Sequence, residues 1–377
     1  MAETKKQKSK KQIMGIIVWF ACCIAIGVAL GITLAKSNVE LSDEMLLSCF
    51  IGFLVWMYLH IIFHEGGHLI CGLLTGYSFV SFRVGSFMWE KQRDGKVHFC
   101  RFSLAGTGGQ CLMGPPEYKD GKFPYVLYNL GGGLMNFLLA AVGIALLVML
   151  PMAEWLQGFL GAMAFNGIFI GAMNLIPIRK LNNDGSNIME ISKSAAAKRA
   201  FWLQMRMNQE AAKGVRLKDM PAEWFETITE NRKNIMVTSI DVFSANRMME
   251  QMELDAAEEK MVRLMKEDYL AGIYKSLMVF ELSSLELLKG EKNVYTDKTE
   301  EPKLQQFEKA MKKFPSILRW QYIKAKILDQ NAEKAEEIRK TFDNMAQTYP
   351  HPCELESERQ LMQMADEKAK SFSSETL

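Results

Sequence analysis

The chain has 377 residues, 49% of them hydrophobic and 23% charged, with a formal net charge of +2. That balance excludes a disordered chain, a collagen-like chain and a small disulfide scaffold, and it gives no global basic field that would point to nucleic acid. A mean hydropathy of -0.03 conceals a split: residues 13–178 hold nearly all the long apolar runs, and residues 190–377 hold most of the charge. The length favours two or more structural units. The seven cysteines show no CxxC spacing and read as reduced packing residues rather than a disulfide framework.

Crossing a bilayer as a helix takes ~20 mostly apolar residues. Four segments qualify: residues 13–35, 45–74, 124–150 and 155–178. The first begins like a signal peptide, but its apolar stretch is too long and no clear cleavage site follows, so it reads as a retained anchor. Lys5, Lys6, Lys8, Lys10 and Lys11 precede it. Arg83, Lys91, Arg93, Lys96, Arg101, Lys119 and Lys122 fall between the second and third segments, and the short loops 37–44 and 151–154 carry no Lys or Arg. The bias of basic residues towards the inner face predicts that the tail, the long loop and everything past residue 178 are cytoplasmic, with both termini inside. Within the long loop, residues 80–90 and 96–104 have strand-like patterning on either side of Asp94-Gly95. Asp-Gly is a hairpin signal, so a β-hairpin near the membrane surface is expected, the alternative being a loop packed on the helices.

The second segment contains His64-Glu65-Gly66-Gly67-His68. In a helix, residues four apart share a face, so both imidazoles can bind one metal, with Glu65 placed to take a proton from water. Two histidines and a glutamate could instead pair with each other. Ionisable groups inside an apolar run are costly, however, and usually functional. Gly66 and Gly67 lower helix stability, so their expected use is to admit another backbone or a substrate. A catalytic zinc needs a third protein ligand, and Asp184 at the cytoplasmic end of the fourth segment is the candidate. Taken alone, Asn183-Asp184-Gly185 is also ordinary turn chemistry. Glu117 and Asp120 are weaker candidates. His60 reads as a packing or supporting residue and His98 as structural or surface.

With its His-Glu-x-x-His helix, then Gly131-Gly132-Gly133-Leu134-Met135-Asn136-Phe137, then Asn174…Pro177…Asp184-Gly185, the chain resembles the site-2 protease family of intramembrane zinc proteases over residues 45–190. Two features depart from the family pattern: Asn183 stands where a proline often precedes Asp-Gly, and the triple glycine lacks a proline. The resemblance implies Zn2+ held by His64, His68 and Asp184, with Glu65 as general base. It places Asn136, Gly132 and Asn174 along the substrate path, Asn136 being equally readable as a hydrogen bond between helices. It further implies that the hairpin can hold an unwound substrate by strand addition. The implied substrates are single-pass membrane proteins or signal-peptide remnants, and the expected location is a bacterial cytoplasmic membrane.

Beyond Gly185 the sequence turns charged and helical. Helices are expected over 186–213, from Pro221, and over 240–266, 269–288, 303–313, 317–329, 332–348 and 354–368. Phe307…Phe314-Pro315 is echoed 35 residues on by Phe342…Tyr349-Pro350, a spacing that resembles tetratricopeptide repeats, with a generic helical bundle as the alternative. Either would offer a surface for a protein partner.

The expected architecture is therefore mainly α. A basic tail (1–12), an anchor helix and outer loop (13–44) and a metalloprotease core (45–190) form a polytopic membrane helix bundle. A cytoplasmic helical domain (191–368), repeat-like in character, and a disordered end (369–377) follow. The alternative function is a catalytically silent membrane scaffold whose helical domain binds partners. A transporter fits least, because no internal repeat is evident.

Overall fold

A computed structural model describes residues 42–102, 107–178, 183–291 and 294–375. The anchor expected over 13–35 and the basic tail lie outside the described residues. Three described helices are long and apolar enough to cross a membrane: α1 (Asp43–Leu74), α2 (Tyr125–Met149) and α3 (Glu154–Leu175). Ser42 Oγ accepts the amide of Met45 at the start of α1, and Asp43 and Glu44 occupy its first turn, where acids complement the helix dipole. Gly76, in a left-handed conformation at φ +85°, closes its far end. At ~1.5 Å per residue, the 32 residues of α1 span ~48 Å against ~30 Å of hydrocarbon. Leu46, Phe50, Leu54 and Leu73 are exposed along it, as lipid-facing side chains are.

The loop between α1 and α2 is a four-stranded antiparallel sheet, in the order β3-β2-β1-β4. Its strands are β1 (Ser78–Val84), β2 (Phe87–Lys91), β3 (Val97–Arg101) and β4 (Gly109–Gly114). The expected Asp94-Gly95 hairpin is present between β2 and β3, with Gly95 at φ +77°. The sheet is larger than that hairpin for two reasons. Gly85-Ser86 makes a second two-residue turn, with Val84 paired to Phe87, and it splits the expected 80–90 strand in two. The short, glycine-flanked β4 then pairs with β1 along its other side. Arg83, counted among the basic residues of the long loop, is 1% exposed and donates to the Gly85 carbonyl.

The described residues form two compact units, 42–55 with 142–164 and 56–141 with 165–375. In the first, Ser48 Oγ donates to the Trp155 carbonyl at 2.6 Å. The second contains the sheet, the rest of the long helices and the C-terminal helices.

These C-terminal helices are α4 (Asp184–Ser192), α5 (Ala195–Ala212), α6 (Ile235–Glu250), α7 (Leu254–Met265), α8 (Gly272–Lys289), α9 (Val294–Thr299), α10 (Pro302–Ala310), α11 (Pro315–Ile323), α12 (Ala332–Ala346) and α13 (Leu355–Glu375). Several differ from the expectation for local reasons. The 186–213 helix breaks where Ser194 caps α5, its side chain accepting the Ala197 amide. The 240–266 helix breaks at Met252, at φ +60°. The helix expected from Pro221 is one 3-10 turn, Ala222–Trp224. At the C-terminus, α13 runs through Glu375, past the residue where the helix was expected to end.

Of the two echoed prolines, Pro315 opens α11, whereas Pro350 lies outside any helix. Tyr77, Met113, Phe123, Phe201, Met207 and Ile240 share one core, so the sheet and α4 to α6 pack as one body. Deeper in the helical part, Arg319 is 1% exposed and pairs with Glu281 at 2.6 Å and Glu358 at 3.2 Å. Arg319→Ala strands two acids in the interior and is expected to destabilise the fold by about 3–5 kcal/mol, read as a lowered thermal midpoint.

Candidate metal centre

Helical spacing puts His64 and His68 one above the other on α1. Their Nε2 atoms are 3.2 Å apart. Asp184 Oδ2 lies 3.2 Å from His64 Nε2 and 3.4 Å from His68 Nε2. His68 Nδ1 lies 2.7 Å from the Tyr128 carbonyl, which can only accept, so Nδ1 carries a proton and the ring turns Nε2 inward. Asp184 Oδ2 is buried without a hydrogen-bond partner among the described residues. Burial pushes the Asp184 carboxyl up, and the two imidazoles beside it more than reverse this, down to about 2, so it is an anion near neutrality. Three potential ligand atoms, two from imidazoles and one from a carboxylate, thus converge on one point, an arrangement that fits a cation. Ligand atoms at ~2.0–2.1 Å from a tetrahedral zinc stand ~3.3 Å from one another, and these three atoms already do. Among the described residues this is the one group of three His, Cys, Asp or Glu side chains that converges so.

The face of α2 turned towards the histidines explains how they are held. Tyr128, Gly132 and Asn136 follow at intervals of four and so line one face. Tyr128 offers its carbonyl to His68. A Cβ on Gly132 would fall 2.4 Å from His64 Cε1 and 2.6 Å from both Nε2 atoms, so only glycine leaves the space beside the two imidazoles open. Asn136 Nδ2 lies 3.3 Å from His64 Nδ1, and its Oδ1 lies 3.4 Å from His60 Nδ1. The two ends of an amide have nearly the same shape, so the group can turn over in place. Turned over, its oxygen would accept a His64 Nδ1 proton and leave Nε2 free for a metal, the usual outer support of a zinc-binding histidine. Asn136 is fully buried and is not among the residues that line the cavity described below, which suits its reading as a hydrogen bond between helices. Of the two motif glycines, Gly67 is the one used for close approach. A Cβ there would lie 2.1 Å from the Gly131 carbonyl, whereas Gly66 has nothing within 4 Å.

Asp184 owes its position to its neighbours. Asn183 Nδ2 donates to the carbonyls of Met173 and Ile176, both at 2.6 Å. Its Oδ1 accepts from the amides of Ser186 and Ile178. Asn183 therefore caps α4 and ties it to the end of α3. A proline side chain could make none of these bonds. Gly185 lets the two segments meet, since a Cβ there would lie 2.1 Å from the Leu175 carbonyl. Asn183→Ala is expected to cost about 1–3 kcal/mol and to loosen Asp184, measurable as a lower thermal midpoint together with weaker zinc retention. Glu117 pairs with Lys119 in the open, and Asp120 sits in a turn at φ +48°. The structure brings neither to the histidines. His98 pairs with Asp94 at the surface.

A cavity of about 660 Å³ opens on this cluster, lined by His64, Glu65, His68 and Asp184 and by β4 from Gly109 to Met113. Glu65 is buried, and its side chain lies against Gly109, where a Cβ would meet Oε1 at 2.6 Å. Asn174 also lines the cavity and donates to the Ile170 carbonyl one turn back.

Residues 52–159 match the sequence model of peptidase family M50. The match covers less than a third of the chain. It includes His64, Glu65, His68, Gly132 and Asn136, and it ends before Asp184. No curated protein and no solved structure matches the chain. The M50 segment and the three membrane-length helices together suggest a multi-pass membrane protein related to proteases.

Two contributors carried little signal in the sequence. Tyr128 acts through a backbone carbonyl, which no side chain announces, although its spacing of four from Gly132 and eight from Asn136 marks the shared face. β4 lacks the alternation and branched residues that identify a strand.

Proposed function

We propose that the chain is a zinc-dependent intramembrane endopeptidase. The observation that carries this reading is the convergence of His64, His68 and Asp184 beside Glu65, on one cavity, within membrane-length helices of an M50 segment. When bound there, zinc would polarise a peptide carbonyl and lower the pKa of a water to ~7. His64, His68 and Asp184 hold the metal, and the Tyr128 carbonyl and Asn136 fix the rings. Glu65 takes the proton from the attacking water and delivers it to the leaving nitrogen.

The cavity supports an internal stretch of polypeptide as the substrate. Among its described lining residues Glu65 and Asp184 are the only acids, and the mechanism engages both. β4 is an edge strand along the cavity, so a locally unwound segment can add to it through backbone hydrogen bonds. A membrane helix that unwinds, or the remnant of a signal peptide, meets these terms. Lipid surrounds the long helices, and the C-terminal helices offer a surface for a protein partner. The chain belongs in a cell membrane on this reading, with the site towards the cytoplasmic face.

The test compares membrane proteomes of cells carrying the natural chain or Glu65→Gln. One or a few single-pass proteins or signal-peptide remnants should accumulate only with the variant. An unchanged proteome with both chains expressed and zinc-loaded would favour a silent scaffold.

A further inference from the structure

The cavity wall is unusually rich in carboxamides, and those from α5 have no established role. Phe201, Gln204, Met205, Asn208 and Gln209 line the cavity, and their spacing of three and four places them on a single face of α5. This face is held rigidly. Trp202 Nε1 donates to the Pro116 carbonyl at 2.8 Å, and Gln209 Nε2 donates to Ser78 Oγ at 2.8 Å. Gln204 and Asn208 differ from Gln209: their side chains are half-buried and make no hydrogen bond with another described residue.

Resting on the protease reading above, we propose that Gln204 and Asn208 hydrogen-bond the outer edge of the extended substrate, the edge that β4 leaves unpaired. An extended chain turns its N–H and C=O groups alternately to its two sides. Adding to β4 satisfies one side only. Inside the cavity the other side also gives up contacts with water, and partners for it strengthen binding. A carboxamide both donates and accepts, as a peptide group does. Residues four apart on a helix stand ~6 Å from each other. Peptide groups facing one side of a strand recur every ~6.6 Å. The two spacings match within the freedom of the side chains. Recognition of this kind reads backbone rather than sequence, and it makes the first long helix of the C-terminal region part of the binding site.

The test uses full-length Glu65→Gln protein, zinc-loaded in lipid nanodiscs, as a non-cleaving binder. The probes are fluorescein-labelled synthetic peptides with one Leu/Ala membrane span and a central Gly-Ser-Gly. Each carries a single backbone ester in place of an amide, and the ester position is moved one residue at a time. Losing one such bond should weaken binding about two- to tenfold, in two interleaved sets of positions. Adding Gln204→Ala and Asn208→Ala should silence one set and leave the alternate set sensitive. Alanine favours the helix, and an unchanged thermal midpoint confirms that α5 survives. Equal ester sensitivity with and without the two carboxamides would overturn this role and leave the protease reading standing. Absence of saturable binding by any probe to the zinc-loaded protein would count against both.

Discussion

Gly132→Ala is expected to strip the chain of its metal, although it adds one methyl group and removes no ligand. The new Cβ would lie 2.4 Å from His64 Cε1 and 2.6 Å from both Nε2 atoms, well inside contact distance. Gly132 sits on the backbone of a long helix, so the imidazoles must give way. Changes to groups that merely support zinc-binding histidines cost about 10–100-fold in affinity. A direct collision with both ligands should exceed that, about 100-fold or more. The control lies within the motif itself: Gly66 has open space around its Cβ position. Gly66→Ala should therefore keep its zinc and, on helix propensity, gain up to about 1 kcal/mol in stability. Zinc per chain in the two purified variants, measured by elemental mass spectrometry against a buffered free-zinc series, decides the matter. Equal zinc affinity in both would show that the metal is not bound where Gly132 leaves room.

Glu65→Gln should do the opposite. The side chain keeps its size, and no ligand changes, so zinc content should match that of the natural chain. Removing a positioned general base typically lowers turnover about 10²–10⁴-fold. Cleavage of a membrane substrate identified by its accumulation should fall by that factor in single-turnover assays, while binding of the same substrate persists. A loss below tenfold would mean that water is activated without Glu65. Loss of zinc along with activity would mean that Glu65 is part of the ligand set. The two variants thus separate holding the metal from using it.

How far the site could be read from the chain depended on which groups do the work. The placement of His64, Glu65 and His68 at one cavity was legible because it follows from side-chain type and a spacing of four. Asp184 was legible only through its neighbours and the side of the membrane assigned to it. Its position rests on Asn183, whose four hydrogen bonds join the flanks of a segment where the expected pattern had a proline. Asn136 read equally as part of a substrate path or as a hydrogen bond between helices, because a sequence does not show which side of a helix it faces; its place between His60 and His64 suits the second. Gly132 was assigned to a substrate path, and in the structure it lies directly against the rings of His64 and His68.

The sheet was half legible. Asp94-Gly95 announced one turn, and Gly85-Ser86 was an equally good signal inside what read as a single strand. β4 has almost no strand character of its own and takes its conformation from pairing with β1. The C-terminal helices were recognisable as helices, but their breaks at Ser194 and Met252 depend on a cap and a left-handed residue that periodicity does not reveal. The involvement of α5 in the cavity could not be read at all, since it arises from packing between residues about a hundred positions apart.

The measurement that bears most directly on the central claim is X-ray absorption at the zinc edge of the purified full-length protein. The account predicts one zinc per chain with four nitrogen or oxygen ligands at ~2.0–2.2 Å, two of them imidazole. It further predicts that the imidazole signal falls in His68→Ala. A sulfur ligand at ~2.3 Å would instead implicate a cysteine such as Cys111, which also lines the cavity. That result, or a chain that takes up no zinc, would contradict the site built here from His64, His68 and Asp184.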